Sequence, residues 1–282
     1  MKTLKNLILT IALVALAASG FAQASYPVSG NVSSDTAGSV AALVKYVGTT
    51  AGSATTDVAV DAAGVATFRV AGVASTTVNS GGTCGAVVGT MDPSDGDCNT
   101  FGEFMDIVNA TADWRMVLVG ALRTDIANNT ITTFAVSAAQ RVDGVPLYFD
   151  STVSLSTSIA LIPESCKTDI RCFMTPAGKL LTNPFAAQTT ELRWMAGYST
   201  FATTGTFQIF SVKVFNQAGV SSEVVTQMWS EVTGATGTNK QLTQFQYFGL
   251  LGKPGEKLIC RILNTGASSA YFMQAYGVQK PI

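Results

Sequence analysis

Leu242-Thr-Gln-Phe-Gln-Tyr-Phe-Gly-Leu-Leu251, then Gly252, Lys253-Pro-Gly-Glu256 and Lys257-Leu-Ile-Cys-Arg-Ile-Leu263, is the stretch that decides the fold. Two strand-length apolar runs flank a four-residue turn. Its Pro254 presets φ and its Gly255 supplies a positive φ where a type II turn needs them. The second run alternates strongly, which is the mark of a half-buried strand.

The same texture continues outward. Leu192 to Tyr198, Thr206 to Phe215, Glu223 to Val232 and Tyr271 to Val278 read as strands around this hairpin. Upstream, Trp114 to Leu122, Ile131 to Val136, Val145 to Phe149 and Thr152 to Leu161 follow, parted by turns at Asn128-Asn129, Asp143-Gly144 and Asp150-Ser151. Thr56 to Val60 and Val65 to Val70 alternate about Asp61-Ala-Ala-Gly64, a second hairpin. One helix is expected. Thr100-Phe-Gly-Glu103 has capping-box spacing, and Phe104, Ile107 and Val108 recur at helical intervals. The expected fold is mainly β, an antiparallel sandwich or jelly roll, with one short helix near residues 100–110.

Composition divides the chain into five segments. Residues 1–24 read as a bacterial-type signal peptide: Lys2 and Lys5, an uncharged apolar run from Leu7 to Ala18, and the small-x-small site Ala22-Gln23-Ala24. That run is too short to be a permanent membrane span. Residues 25–78 form an Ala/Gly/Ser/Thr-rich N-terminal arm and hairpin, and 79–162 a β-rich domain with the helix and an acidic disulfide loop. Residues 163–186 form a connector marked by Pro163, Pro176 and Pro184, and 187–282 a C-terminal sandwich-like domain. The part of the arm before the hairpin, low in aromatics, reads as a mobile arm or a pair of edge strands.

The five cysteines suit an oxidising compartment. Local pairing is the economical expectation, Cys84 with Cys98 and Cys166 with Cys172, which leaves Cys260 either buried or free to bridge another copy. Charge is sparse: 12% of residues are ionic, 47% are apolar and mean hydropathy is +0.32. A surface so poor in ions resists self-association weakly. Nine carboxylates face three arginines between Asp92 and Asp150, whereas six face ten basic residues from Ser151 onward. Such halves can meet head to tail between copies or within one molecule. No long basic run is present, so nucleic acid is not an expected partner.

The sequence contains no histidine. That removes Ser-His-Asp and Cys-His nucleophiles and His-ligated zinc. Gly-x-Ser-x-Gly, Ser-x-x-Lys, Walker and Cys-x-x-Cys patterns are also missing. The remaining catalytic route is a carboxylate pair drawn from Glu103, Asp106, Asp113, Glu191, Glu223 and Glu231, which a charge-poor chain serves badly. The chain is expected not to be an enzyme.

Two binding constellations stand out. Asp95, Asp97 and Asn99 place alternate oxygen ligands on one turn and could face Ca²⁺, although no EF-hand register fits; the plain reading is a solvated acidic turn. Trp194, Tyr198, Trp229, Tyr247 and Tyr276 could form a sugar-stacking platform, against core packing as the plain reading. Asn31, Asn109 and Asn128 begin N-glycosylation triplets that carry little weight in an Asn- and Thr-rich chain.

The function these features favour is a secreted structural subunit of an extracellular self-assembling filament, fimbria or surface layer, bound to copies of itself. Ser25 to Thr56 is the expected donated arm. The alternative is a cell-surface carbohydrate-binding adhesin of jelly-roll type. An outer-membrane barrel fits poorly, given the Gln-Lys-Pro-Ile ending and the mid-chain helix, and a type IV pilin would keep an apolar N-terminal helix.

Overall fold

The structure is a computed structural model that describes residues 25–33, 39–50, 55–127, 131–150, 157–200, 205–215, 220–233, 239–241, 245–264 and 271–282. Side chains are described for these apart from 32, 33, 134, 157, 198–249, 263, 264 and 271. The leader expected at 1–24 lies outside the described residues. The strands are β1 (Tyr26–Ser33), β2 (Val40–Tyr46), β3 (Asp57–Val60), β4 (Ala66–Val70), β5 (Val73–Ala74), β6 (Thr90–Met91), β7 (Trp114–Leu118), β8 (Phe134–Ala138) and β9 (Val145–Tyr148). They continue as β10 (Thr157–Leu161), β11 (Gln188–Thr200), β12 (Gly205–Phe215), β13 (Val220–Thr233), β14 (Asn239–Gln241), β15 (Phe245–Gly252), β16 (Glu256–Asn264) and β17 (Tyr271–Pro281). Among the described residues there are also two helices, α1 (Phe101–Asn109) and the single-turn α2 (Glu164–Lys167), and a 3-10 turn at Ile170–Phe173. The chain is mainly β, its sheets antiparallel and its arrangement sandwich-like.

The two hairpins form as their turn residues require. Val60 pairs with Ala66, the Asp61 carboxylate accepts the backbone N–H groups of Ala63 and Val65, and Gly64 takes φ 80°. In the second hairpin Gly255 takes φ 83° and Glu256 N–H donates to Lys253 O at 2.9 Å. The capping box of α1 is complete: Thr100 Oγ1 accepts from Glu103 N–H and Glu103 Oε2 accepts from Thr100 N–H. This cap starts the helix, and Phe101, Phe104, Met105 and Val108 then form its buried face.

Among the described side chains, three cores organise the fold. The first is aromatic: Phe68 meets Phe104 and Trp114 edge to face, Trp114 meets Tyr46, and Phe101 meets Phe149. It lies among α1, the sheet β7-β2-β9 and the β3–β4 hairpin. The second is aliphatic and fills the sandwich. Val28, Leu192, Met195, Leu250, Met273 and Ala275 of the sheet β1-β17-β11-β15 pack on Ile159, Leu161, Leu258, Cys260 and Ile262 of the sheet β10-β16-β12-β13. The third joins Leu43, Val117 and Val119 to the connector through Cys166, Ile170, Phe173, Met174 and Phe185.

Of the two readings of the N-terminal segment, a mobile arm or a pair of edge strands, the structure has strands, β1 at a sheet edge and β2 in the middle of a sheet. β1 pairs along its length with β17, and β2 lies between β7 and β9 with Leu43 buried toward one core and Val44 toward another. A strand buried on both faces is a continuous apolar run and shows no alternation. β1 also sits flush on β10: a Cβ at Gly30 would come within 2.5 Å of Ile159 Cγ2, so only glycine permits the approach. The C-terminal sandwich therefore includes strands from both ends and from the middle of the chain.

Candidate functional site

The outer face and open edges of the sandwich carry the candidate site. On the first sheet, β11 and β17 place Trp194 opposite Tyr276, and the two half-buried rings stack with centroids 6.1 Å apart at 20°. A register shift between Leu192 and Trp194 re-aims the strand at this point. Beside the rings, Glu191 pairs with Arg193 at 2.9 Å and with Lys280 at 3.3 Å. Of the five sugar-stacking candidates, Tyr198 lies on β11 and Tyr247 on β15 of the same sheet, whereas Trp229 lies on β13 of the opposing sheet. The side chains of these three lie outside those described. Among the described side chains, Trp194 and Tyr276 are the candidates brought together.

The second sheet ends in β13. This is the longest described strand, 14 residues, and its one described partner is β12. At strand rise it is about 46 Å of backbone with one side unmatched by any described strand. It contains Glu223 and Glu231 but no Lys, Arg or Pro, so the charges and breakers that usually blunt an edge are few. β1 is the corresponding edge of the first sheet, with Tyr26 54% exposed.

The other sequence candidates have local structural partners. Glu103 caps α1, Asp106 pairs with Arg123 and Asp113 accepts from Thr77 Oγ1 at 2.8 Å. The Glu223 and Glu231 side chains lie outside those described. Asp95 closes its loop by accepting N–H groups from Gly85 and Asp97, both at 3.1 Å, while Asp97 and Asn99 are exposed. Among the described residues no three His, Cys, Asp or Glu side chains form a group able to hold a metal. Asn109 is held at both ends of its amide by the backbone of Met116, Asn31 is exposed on β1 and Asn128 lies outside the described residues.

Both expected disulfides, Cys84–Cys98 and Cys166–Cys172, are present, and they belong to an oxidising, non-cytoplasmic compartment. Cys260 is free, and burial pushes its thiol up to about 12. No helix among the described residues is long and apolar enough to cross a membrane.

Sequence reasoning missed the polar clamp that joins sandwich to N-terminal lobe. β16 turns Leu258, Cys260 and Ile262 into the sandwich and presents Lys257, Ile259 and Arg261 on its other face, which is also buried. Lys257 Nζ donates to Leu118 O at 2.9 Å and to Val119 O at 2.6 Å. Arg261 pairs with Asp125 at 2.7 Å, and Ser158 Oγ donates to Gly120 O at 2.6 Å. Burial holds the Lys257 amine down to about 7. Ile259 between two cations was the one signal that this face is not solvent-facing.

No family model matches the chain, and no curated protein matches it. A chain of the solved structure of infectious bursal disease virus Gt strain aligns with 92% of this chain at 12% identity and a TM-score of 0.22. The alignment spans 56% of that chain, and likeness at this level carries no argument about fold or function.

Proposed function

We propose that this chain is a secreted, non-catalytic structural subunit that self-assembles outside the cell into a filament, fimbria or surface layer. The observation that carries the reading is β13, a 14-residue strand at the edge of its sheet among the described residues, with β12 as its one described partner and no basic residue. An open strand edge is a template for another strand, and main-chain hydrogen bonds then supply affinity. The sparse charge of the chain supports the same reading, because few ions must be desolvated when copies meet. β1 is the strand best suited to donation: it is already an edge strand, and Val28 is its one described side chain that is fully buried. The test is light scattering and negative-stain microscopy of residues 25–282 across a concentration series. Ordered polymers or sheets are expected, and a monodisperse monomer at high concentration contradicts the reading.

The stacked Trp194–Tyr276 pair favours a second reading, a carbohydrate-binding surface module. Aromatic rings on an outer sheet face suit pyranose faces, and Glu191 and Lys280 beside them offer hydroxyl partners. Quenching of Trp194 fluorescence by oligosaccharides, lost in Tyr276→Ala, separates this reading from assembly.

A further inference from the structure

We propose that the groove between β2 and the connector is a binding site for a small oxyanion, a carboxylate or sulfate carried on a sugar-sized polar molecule. The groove has a volume of about 560 Å³, within the range of small-ligand sites, and Lys45, Gln140, Arg171 and Thr175 line it. That volume exceeds what an inorganic anion alone fills.

The charge arrangement points to an anion. Arg141 is matched by Asp143 at 2.8 Å and Arg171 by Asp169 at 2.6 Å. Lys45 and Arg115 are different. They stand directly opposite each other on β2 and β7, a like-charge cross-strand pair. Their described hydrogen bonds go to backbone carbonyls: Lys45 to Arg141 O, and Arg115 to Thr111, Ala112, Trp114 and Gly178. Like charges facing one another across a ladder destabilise a sheet, and a bound anion reverses the sign of that interaction. Gly178, which receives the Arg115 Nε–H at 3.1 Å, is itself in the groove wall. Arg115 thus braces the groove wall through Gly178, and the lining cations are Lys45 and Arg171, the latter holding Asp169 through Nε and Nη2.

Protonation adds a second signature. Burial lowers the Lys45 pKa, Asp143 and Asp169 oppose this, and Arg171 reinforces it. An anion in the groove raises that pKa, so binding takes up a proton and weakens as pH rises through the Lys45 titration.

The experiment is thermal unfolding of residues 25–282 with glucuronate, sulfate, glucose or chloride at matched ionic strength. A saturable rise in Tm of about 5 °C at a hundredfold excess over Kd is expected with glucuronate. Chloride and glucose give no such rise. Glucuronate is expected to bind tighter than sulfate, because the ring fills the groove; sulfate matching glucuronate overturns the sugar-sized ligand. Lys45→Met is expected to raise the Tm of the ligand-free chain while weakening glucuronate about tenfold or more. Arg171 is 61% exposed, so Arg171→Gln folds and serves as the second variant, with the same loss of response. Equal responses to all four solutes, or responses unchanged in both variants, overturn the site.

Discussion

The aromatic lobe and the sandwich solve the problem of burial differently. The lobe closes on itself: Phe68, Phe101, Phe104, Trp114 and Phe149 interlock edge to face, and Cys84–Cys98 ties the loop above them. The sandwich core is aliphatic among its described side chains. Sheets of both regions end in strands with one described neighbour, but the lengths differ: the lobe's end strands β5, β7, β8 and β9 run two to five residues, whereas those of the sandwich include β1 with eight and β13 with 14. A long open edge is the stronger template for another strand.

The sharpest way to break the comparison is to open the aromatic lobe. Phe68→Ala removes a fully buried ring that contacts both Phe104 and Trp114, and a loss of about 3–5 kcal/mol in denaturant unfolding is expected. A loss below about 1 kcal/mol means the aromatic cluster is not the organising core.

The join between the regions is tested by pH. Lys257 holds its proton less tightly when buried than when unfolded, so the unfolded chain binds more protons between about 7 and the ordinary lysine value of 10.5. Stability therefore rises with pH across that window, by about 2–3 kcal/mol from pH 7 to 9. Lys257→Met removes this slope and leaves two carbonyls without their partner, so its disadvantage relative to the unaltered chain grows as pH rises from 7 to 9. Parallel pH profiles of the two proteins contradict a neutral buried amine.

The smallest effect belongs to the α1 cap. Thr100→Ala removes the acceptor for Glu103 N–H and is expected to lower stability by about 1 kcal/mol, read as a shift in denaturant midpoint with an unchanged slope.

What was legible follows from what each signal depends on. The hairpins at Asp61–Gly64 and Lys253–Glu256 and the cap at Thr100 rest on neighbouring residues, and all three form. Both short-range disulfides were legible for the same reason. The central place of β2 was not, because a strand buried on both faces loses its alternation and its segment reads equally as a mobile arm or an edge strand, and α2 was not, being a single turn between Pro163 and Cys172. Strand order was not legible either. Trp194 and Trp229 are alike in sequence, yet one stacks on Tyr276 and the other lies in the opposing sheet. The Lys257–Arg261 face reads as solvent in the alternation and becomes interior only when the lobe covers it.

The edge itself offers the most direct test. Neighbouring residues in a strand aim their N–H groups to opposite sides, so of Thr226→Pro and Gln227→Pro one removes a ladder bond to β12 and the other a donor on the open side. Circular dichroism identifies the variant that still folds, and light scattering then follows its polymerisation beside that of the unaltered chain. The expected result is a folded variant that stays monomeric while the unaltered chain assembles; a folded variant that polymerises just as fast contradicts β13 as the joining edge.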